Sequence, residues 1–354
     1  MAKKFLPPVI RTSTLAYRPE LDGLRALAIS AVVAAHIGVF NYGPYGVDFF
    51  FVLSGFLITD VLLKLRDKKG KLRTFWIGRI ARLTPILILN VLVGSGLSYF
   101  FLRPTFHISQ PLSALFYVKN FFIANPLNHD VWAPTWTLAA EEQFYLIWPL
   151  VIFYIARRVK ISTLVLIAVI YFLGTHELLT IIRHIYGNLN PQASLSAGLA
   201  GKLVQVVIRP TEILLGALIT LYKKISGPPA FFYFAAALLS AFFLGINAST
   251  ITALLSGLIL SMLELEILPS RILRRLLSYR PLVVTGILSY SIYLWHAVIF
   301  ELTFAHLGRS ALVKLCIVVT TFLVAYISYV FVEVPSQKMI KNKLLVGSIN
   351  EIKN

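Results

Sequence analysis

About ten stretches of roughly 20 mostly apolar residues run through this chain, each long enough for a helix rising about 1.5 Å per residue to cross the hydrocarbon core of a bilayer. They fall near 21–40, 46–64, 83–102, 135–156, 161–182, 203–222, 230–246, 249–267, 282–303 and 311–332. Lipid offers no partner to a backbone amide or carbonyl, so runs of this length are satisfied as helices. The expected fold is an all-α polytopic membrane protein of about ten transmembrane helices. Hydrophobic residues make up 58% of the 354 and mean hydropathy is +0.79, too apolar for a soluble domain. One further apolar stretch, 111–124, is too short to span and is expected in a loop or at the interface.

The formal net charge of +18 would suggest nucleic acid in a soluble protein. Here the basic residues cluster between apolar runs, which is the positive-inside pattern, and no nucleic-acid partner is expected. With the N-terminus in the cytoplasm, the inner segments hold Lys3, Lys4, Arg11, Arg18, the run from Lys64 through Arg82, Arg157, Arg158 and Lys160. They also hold Lys223, Lys224, Arg271, Arg274, Arg275, Arg280 and the C-terminal lysines, against Arg103, Lys119 and Arg309 outside. An even number of spans makes both termini cytoplasmic. The expected division is a cytoplasmic segment 1–20, a membrane domain 21–335 and a cytoplasmic tail 336–354, with no internal repeat. The first 23 residues lack an apolar core followed by a cleavage site, so the first span is expected to be retained. Cys316 is the only cysteine, which excludes a disulfide framework and a cysteine-based metal site.

An ionisable side chain inside a span costs about 2.5–3.5 kcal/mol, so each is a functional candidate by default. On the first span Arg25 and His36 are eleven residues apart; at ~100° per residue they face the same way, roughly 16 Å apart along the axis. A neutral imidazole at His36 suits a general base, although a core histidine bonded to a neighbouring helix has the same spacing. In RTFWIGRIARLTP, expected as a loop helix ahead of the third span, Arg79 and Arg82 project on one side. Two such guanidiniums suit a phosphate-bearing ligand, and equally a basic loop facing lipid headgroups. In WTLAAEEQFYLIWPL the adjacent Glu141 and Glu142 point ~100° apart, so that one faces the bundle and the other a cavity or partner. Asp48, Ser54 and Gly55 lie on the second span, where the small residues also suit close helix packing. Arg209 and Glu212 read as an intramembrane ion pair. Tyr290, Tyr293 and His296 share one stripe of the ninth span, a pattern common in interfacial packing.

Taken in order, YRPELDGLRALAISAVVAAH, GVDFFFVLSGFLIT, FWIGRIARLTP and WTLAAEEQFYLIWP, supported by RPTEILLGAL and SYSIYLWH, resemble acyltransferase family 3, integral membrane enzymes that acylate hydroxyl-bearing acceptors. The resemblance runs from about Tyr17 to Pro335. Thr137 stands where serine is common and Ala26 where glycine is frequent. It implies His36 as catalytic base, Arg25 as its partner arginine, Arg79 and Arg82 as the acyl-CoA-binding pair, Glu141 as the acid of the fourth motif, and Asp48 and Ser54 as the residues of the second. The resemblance is to the stand-alone type, without the extracytoplasmic hydrolase-like domain that some members carry.

The activity so implied is O-acetyl transfer from cytoplasmic acetyl-CoA to a glycan or lipid-linked glycan in a bacterial inner membrane, with lipopolysaccharide O-antigen foremost among acceptors and no metal required. Arg79, Arg82, Arg25 and Ser54 are expected on the donor side. Glu141 or Asp48 is expected to orient His36 on the acceptor side; the oxyanion donor is left open, with Tyr293 and a backbone amide beside Ser54 as candidates. A flippase for a lipid-linked glycan and an acyltransferase for a small molecule such as a macrolide are the competing readings.

Overall fold

The computed structural model describes residues 17–39, 43–122, 130–156, 210–222, 248–265 and 268–342, with isolated positions between 158 and 174. Among the described residues the regular structure is helical, without a strand. Four helical stretches are long and apolar enough to cross a membrane: Tyr45–Leu65, Lys71–Phe101, Ala133–Ile155 and Ala311–Ile340. Two bent pairs, Ile251–Leu263 with Leu268–Leu277 (107°) and Arg280–Ile287 with Ser289–Leu307 (69°), raise the number to six if each is one span. The spans expected at 161–182 and 230–246 and the start of the one at 203–222, Arg209 included, lie outside the described residues.

The first helix, α1 (Pro19–His36), begins where Pro19 presets the first turn and Glu20 and Asp22 complement its positive end. It packs against α2 (Gly43–Leu65), and α2 in turn lies against the later helix Pro210–Tyr222. That crossing is at backbone contact. A Cβ on Gly55 would sit 1.7 Å from the Ile213 carbonyl oxygen, and one on Gly216 would sit 1.7 Å from that of Val52. The small residues read from the sequence as a packing face are therefore just that at Gly55. Backbone cannot yield as a side-chain tip can, so Gly55→Val should cost more than the roughly 1–3 kcal/mol usual for overpacking. The expected result is loss of the monodisperse peak in detergent gel filtration; a normal elution profile with wild-type melting would refute the crossing.

The third helix, α3 (Lys71–Phe101), is 31 residues long and passes through Pro85 without breaking. The basic segment expected as a separate loop helix is thus the first part of the same helix that makes the third span. Arg79 and Arg82 sit eight and eleven residues inside it, some 12–16 Å from its start. The short stretch at 111–124 stays in the connection as expected, forming α4 (Ser109–Leu115) and a single turn at Lys119–Phe121. Lys119, read from the sequence as a loose outer-loop cation, is instead buried in an ion pair with Asp130. Gln143 clamps this connection to α5 (Trp136–Leu150) by donating to the Tyr117 carbonyl and the Asn120 side chain, each at 3.0 Å.

The remaining described helices are α6 (Pro210–Tyr222), α7 (Ala248–Leu263), α8 (Leu268–Leu277), α9 (Arg280–Ile287), α10 (Ser289–Leu307), α11 (Ala311–Ser328) and α12 (Val334–Lys341). Helix α1 also crosses α8 and α9 at backbone contact, through Gly23 against Leu277 and Gly286 against Asp22. A wide turn at Tyr329–Glu333, just ahead of Pro335, joins α11 to α12 and packs on α3. Such insertions occur often beside functional sites. This one carries Glu333, which is only 3% exposed.

Candidate active site

One cavity opens among α1, α2, α3, α5 and α10. Its polar lining is Arg25 from α1, Ser54 from α2, Arg79 and Arg82 from α3, Glu141 and Thr137 from α5, and Ser289, Tyr290 and Tyr293 from α10, closed by Phe50, Phe51, Leu53 and Leu83. Its interior volume is about 100 Å³, room for only a small part of an extended ligand. Three guanidiniums face one carboxylate, so the lining is cationic even with Glu141 ionised. Five of the sequence candidates, Arg25, Ser54, Arg79, Arg82 and Glu141, therefore meet in one place.

The arginines are not equivalent. Arg79 is anchored: a terminal nitrogen bonds Glu142 and its guanidinium stacks 3.9 Å from the centroid of the Tyr145 ring. Arg25 has a looser partner, Asp22, at 3.6 Å. Arg82 makes no hydrogen bond or ion pair among the described residues, and it is the guanidinium most available to an incoming anion. The adjacent glutamates divide as their ~100° offset requires: Glu142 turns to Arg79, and Glu141 lines the cavity together with Ser54. The Ser54 hydroxyl is bonded to that of Tyr145.

His36 lies apart from these groups. It ends α1, is solvent-accessible, and its Nδ1 lies 2.8 Å from the Val32 carbonyl oxygen one turn back. Its ring and that of His296 form a T-shaped contact at 4.9 Å between centroids, and it lies 5.7 Å from Phe300. Glu141 thus sits with the arginines, and the group seen holding the imidazole is a main-chain carbonyl. Asp48 is fully buried on α2 and is not part of the cavity lining. The Tyr293 hydroxyl donates to the Pro134 carbonyl and shares a 2.6 Å bond with Thr137.

The cavity and the imidazole are joined by the stripe on α10. Tyr290 and Tyr293 line the cavity, and His296, one turn further on, touches His36. Six residues of helix bridge about 9 Å from the arginine chamber to the histidines. The sequence placed these three side chains on one face and gave that face to packing; its use as the wall between two parts of a site was not legible. Glu333 was missed altogether, although an acid closing an apolar run was the available signal. It accepts a 3.0 Å hydrogen bond from Ser291 and lies within electrostatic reach of Arg82.

Residues 18–330 match the family described as an acyltransferase domain. The chain is 31% identical over 356 aligned positions to an O-acetyltransferase OatA of Staphylococcus aureus, covering 91% of this chain and 57% of that protein. It is likewise 31% identical over 376 positions to a peptidoglycan O-acetyltransferase OatA of Listeria monocytogenes, covering 91% of this chain and 56% of that one. The chain thus spans a little over half the length of these curated relatives. No solved structure matches it.

Proposed function

This chain belongs to acyltransferase family 3, and from that membership we propose that it is a membrane O-acetyltransferase that takes an acetyl group from cytoplasmic acetyl-CoA and places it on a hydroxyl of a cell-envelope glycan. The observation that carries the proposal is the cationic chamber, in which Arg82 makes no hydrogen bond or ion pair among the described residues, linked along α10 to an accessible imidazole. The donor is a thioester joined through an uncharged arm to a group rich in phosphate. The chamber fits that chemistry: Arg82 and Arg25 would hold phosphate oxygens, with Arg79 stiffening the wall. Ser54 and Glu141 would order the polar side of the chamber, and Tyr290, Tyr293 and Leu83 would line the way for the uncharged arm.

In the transfer the acceptor oxygen bonds the acetyl carbon as the carbon–sulfur bond breaks. His36 takes the hydroxyl proton and then returns it to the departing thiolate, so no proton is gained or lost. The basic-inside charge distribution supports an inner-membrane location with the arginines on the donor side and His36, at the far end of α1, on the acceptor side. Peptidoglycan is the acceptor to test first, since one relative carries it in its name. Lipopolysaccharide O-antigen, foremost in the reading of the sequence, is the second.

The test is to incubate the purified protein in liposomes with acetyl-labelled acetyl-CoA and each glycan in turn. Label should appear as an alkali-labile ester on one glycan. Label that moves only to a small molecule such as a macrolide would overturn the glycan assignment, and no transfer to any acceptor, as a flippase would give, would overturn the enzyme.

A further inference from the structure

Each of two imidazoles in this molecule has its proton position fixed by a main-chain carbonyl. The Nδ1 of His36 lies on the Val32 oxygen at 2.8 Å, and that of His296 on the Tyr293 oxygen at 2.6 Å. A carbonyl only accepts, so each Nδ1 carries the hydrogen and each neutral ring keeps a bare lone pair on Nε2. In His296 that lone pair has no hydrogen-bond partner, and the residue is 1% exposed. An acceptor buried this deeply without a donor is an exception among native structures and requires a cause. The hydroxyl of its neighbour Tyr293, whose ring lies 5.5 Å away, is committed elsewhere. The remaining ring against it is His36.

We propose that His296 is the positioning partner of His36, its buried lone pair on Nε2 stabilising the positive charge that the neighbouring His36 ring gains when it takes the proton of the acceptor hydroxyl. The inference rests on His36 being the base. Before transfer both rings are neutral and no hydrogen bond between them is seen; once His36 is protonated, the buried lone pair of His296 belongs to a ring packed against a cation. The contact therefore strengthens only as positive charge develops, which is the condition for lowering a barrier rather than tightening a ground state. The proton returns from His36 to the departing thiolate, and His296 stays neutral throughout. The asymmetry of exposure agrees: His36 can meet an acceptor, whereas His296 is closed off and can meet His36.

Other groups near His36 add to the need for such a partner. Lys314 of α11 donates to the Gly38 carbonyl at 3.2 Å, placing a cation close to where the imidazolium forms. Asp48 is the buried acid on α2, the helix whose Gly46 packs on Val32 of α1, and Phe300 offers a ring without a charge.

Three substitutions in the full-length protein separate acceptor from scaffold. His296→Gln puts an amide oxygen near the Nε2 position and gives up the bond to Tyr293. His296→Asn keeps a donor for the Tyr293 carbonyl and gives up the acceptor, and His296→Phe fills the space with neither. The expected result is a kcat within about 5-fold of wild type for Gln and about 10- to 100-fold lower for Asn and Phe, with the acetyl-CoA KM unchanged in all three. An active Asn variant beside an inactive Gln variant would make the Tyr293 bond the role of this residue and overturn the proposal. A Gln variant as poor as Asn and Phe, or three unaffected variants, would overturn it as well. His36→Ala run alongside distinguishes the two failures: if it remains active the base assignment falls, whereas if it is dead while the His296 variants are normal only the pairing falls.

Discussion

Replacing His36 with alanine should lower acetyl transfer by about 10³-fold or more while leaving a folded, inserted protein with its affinity for acetyl-CoA intact. General base catalysis contributes about 10²–10⁴-fold, and among the described residues of the site no second accessible base stands beside His36: His296 is buried, and Glu141 lines the arginine chamber. Folding should survive because the ring is accessible and its hydrogen bond is to its own helix. Donor binding should survive because His36 lies about 16 Å along α1 from Arg25, outside the chamber lining. Transfer rates in liposomes, paired with gel filtration, check this. More than about a tenth of wild-type activity in a well-folded variant would contradict it.

The second large effect separates two arginines that the sequence presents as a pair. Arg82→Ala should raise the acetyl-CoA KM about 10- to 100-fold, the cost of one charge-assisted phosphate contact, with little change in melting temperature. Arg79→Ala should instead damage folding. It strips Glu142 of its partner and Tyr145 of its stacked cation, and leaving a charge uncompensated at such a site costs on the order of 3 kcal/mol. Steady-state kinetics with thermal melting of both variants decides the matter. Matching phenotypes would mean that the arginines act as the symmetric pair their spacing suggests.

Local periodicity and hydropathy made much of this molecule legible. The helices at α1, α2, α5 and α11 lie within a few residues of the apolar runs that announced them, and those at α2, α5 and α11 belong to stretches long and apolar enough to cross a membrane. The opposite turn of Glu141 and Glu142 follows from adjacency on a helix, and the shared stripe of Tyr290, Tyr293 and His296 from their three-residue spacing. What stayed hidden depends on helices meeting far along the chain. Arg79 and Glu142 are 63 residues apart, and nothing in either segment says that one anchors the other while Arg82 takes no part in the pair. His36 and His296 come from the first and the ninth expected spans, and each taken alone reads as an ordinary packed histidine. The start of α3 was misread for a different reason: the cluster of cations from Lys71 to Arg82 lowers local hydropathy, which conceals a helix that begins twelve residues before its apolar part.

The central claim is a division of labour, with the arginine chamber holding the donor and His36 doing the chemistry. Binding of acetyl-CoA, measured by titration calorimetry on the wild type, His36→Ala and Arg82→Ala in the same detergent, tests it most directly. The account predicts a Kd for His36→Ala within about 2-fold of wild type and one for Arg82→Ala weakened about 10- to 100-fold. The reverse order, with His36→Ala losing the donor and Arg82→Ala keeping it, would contradict the account.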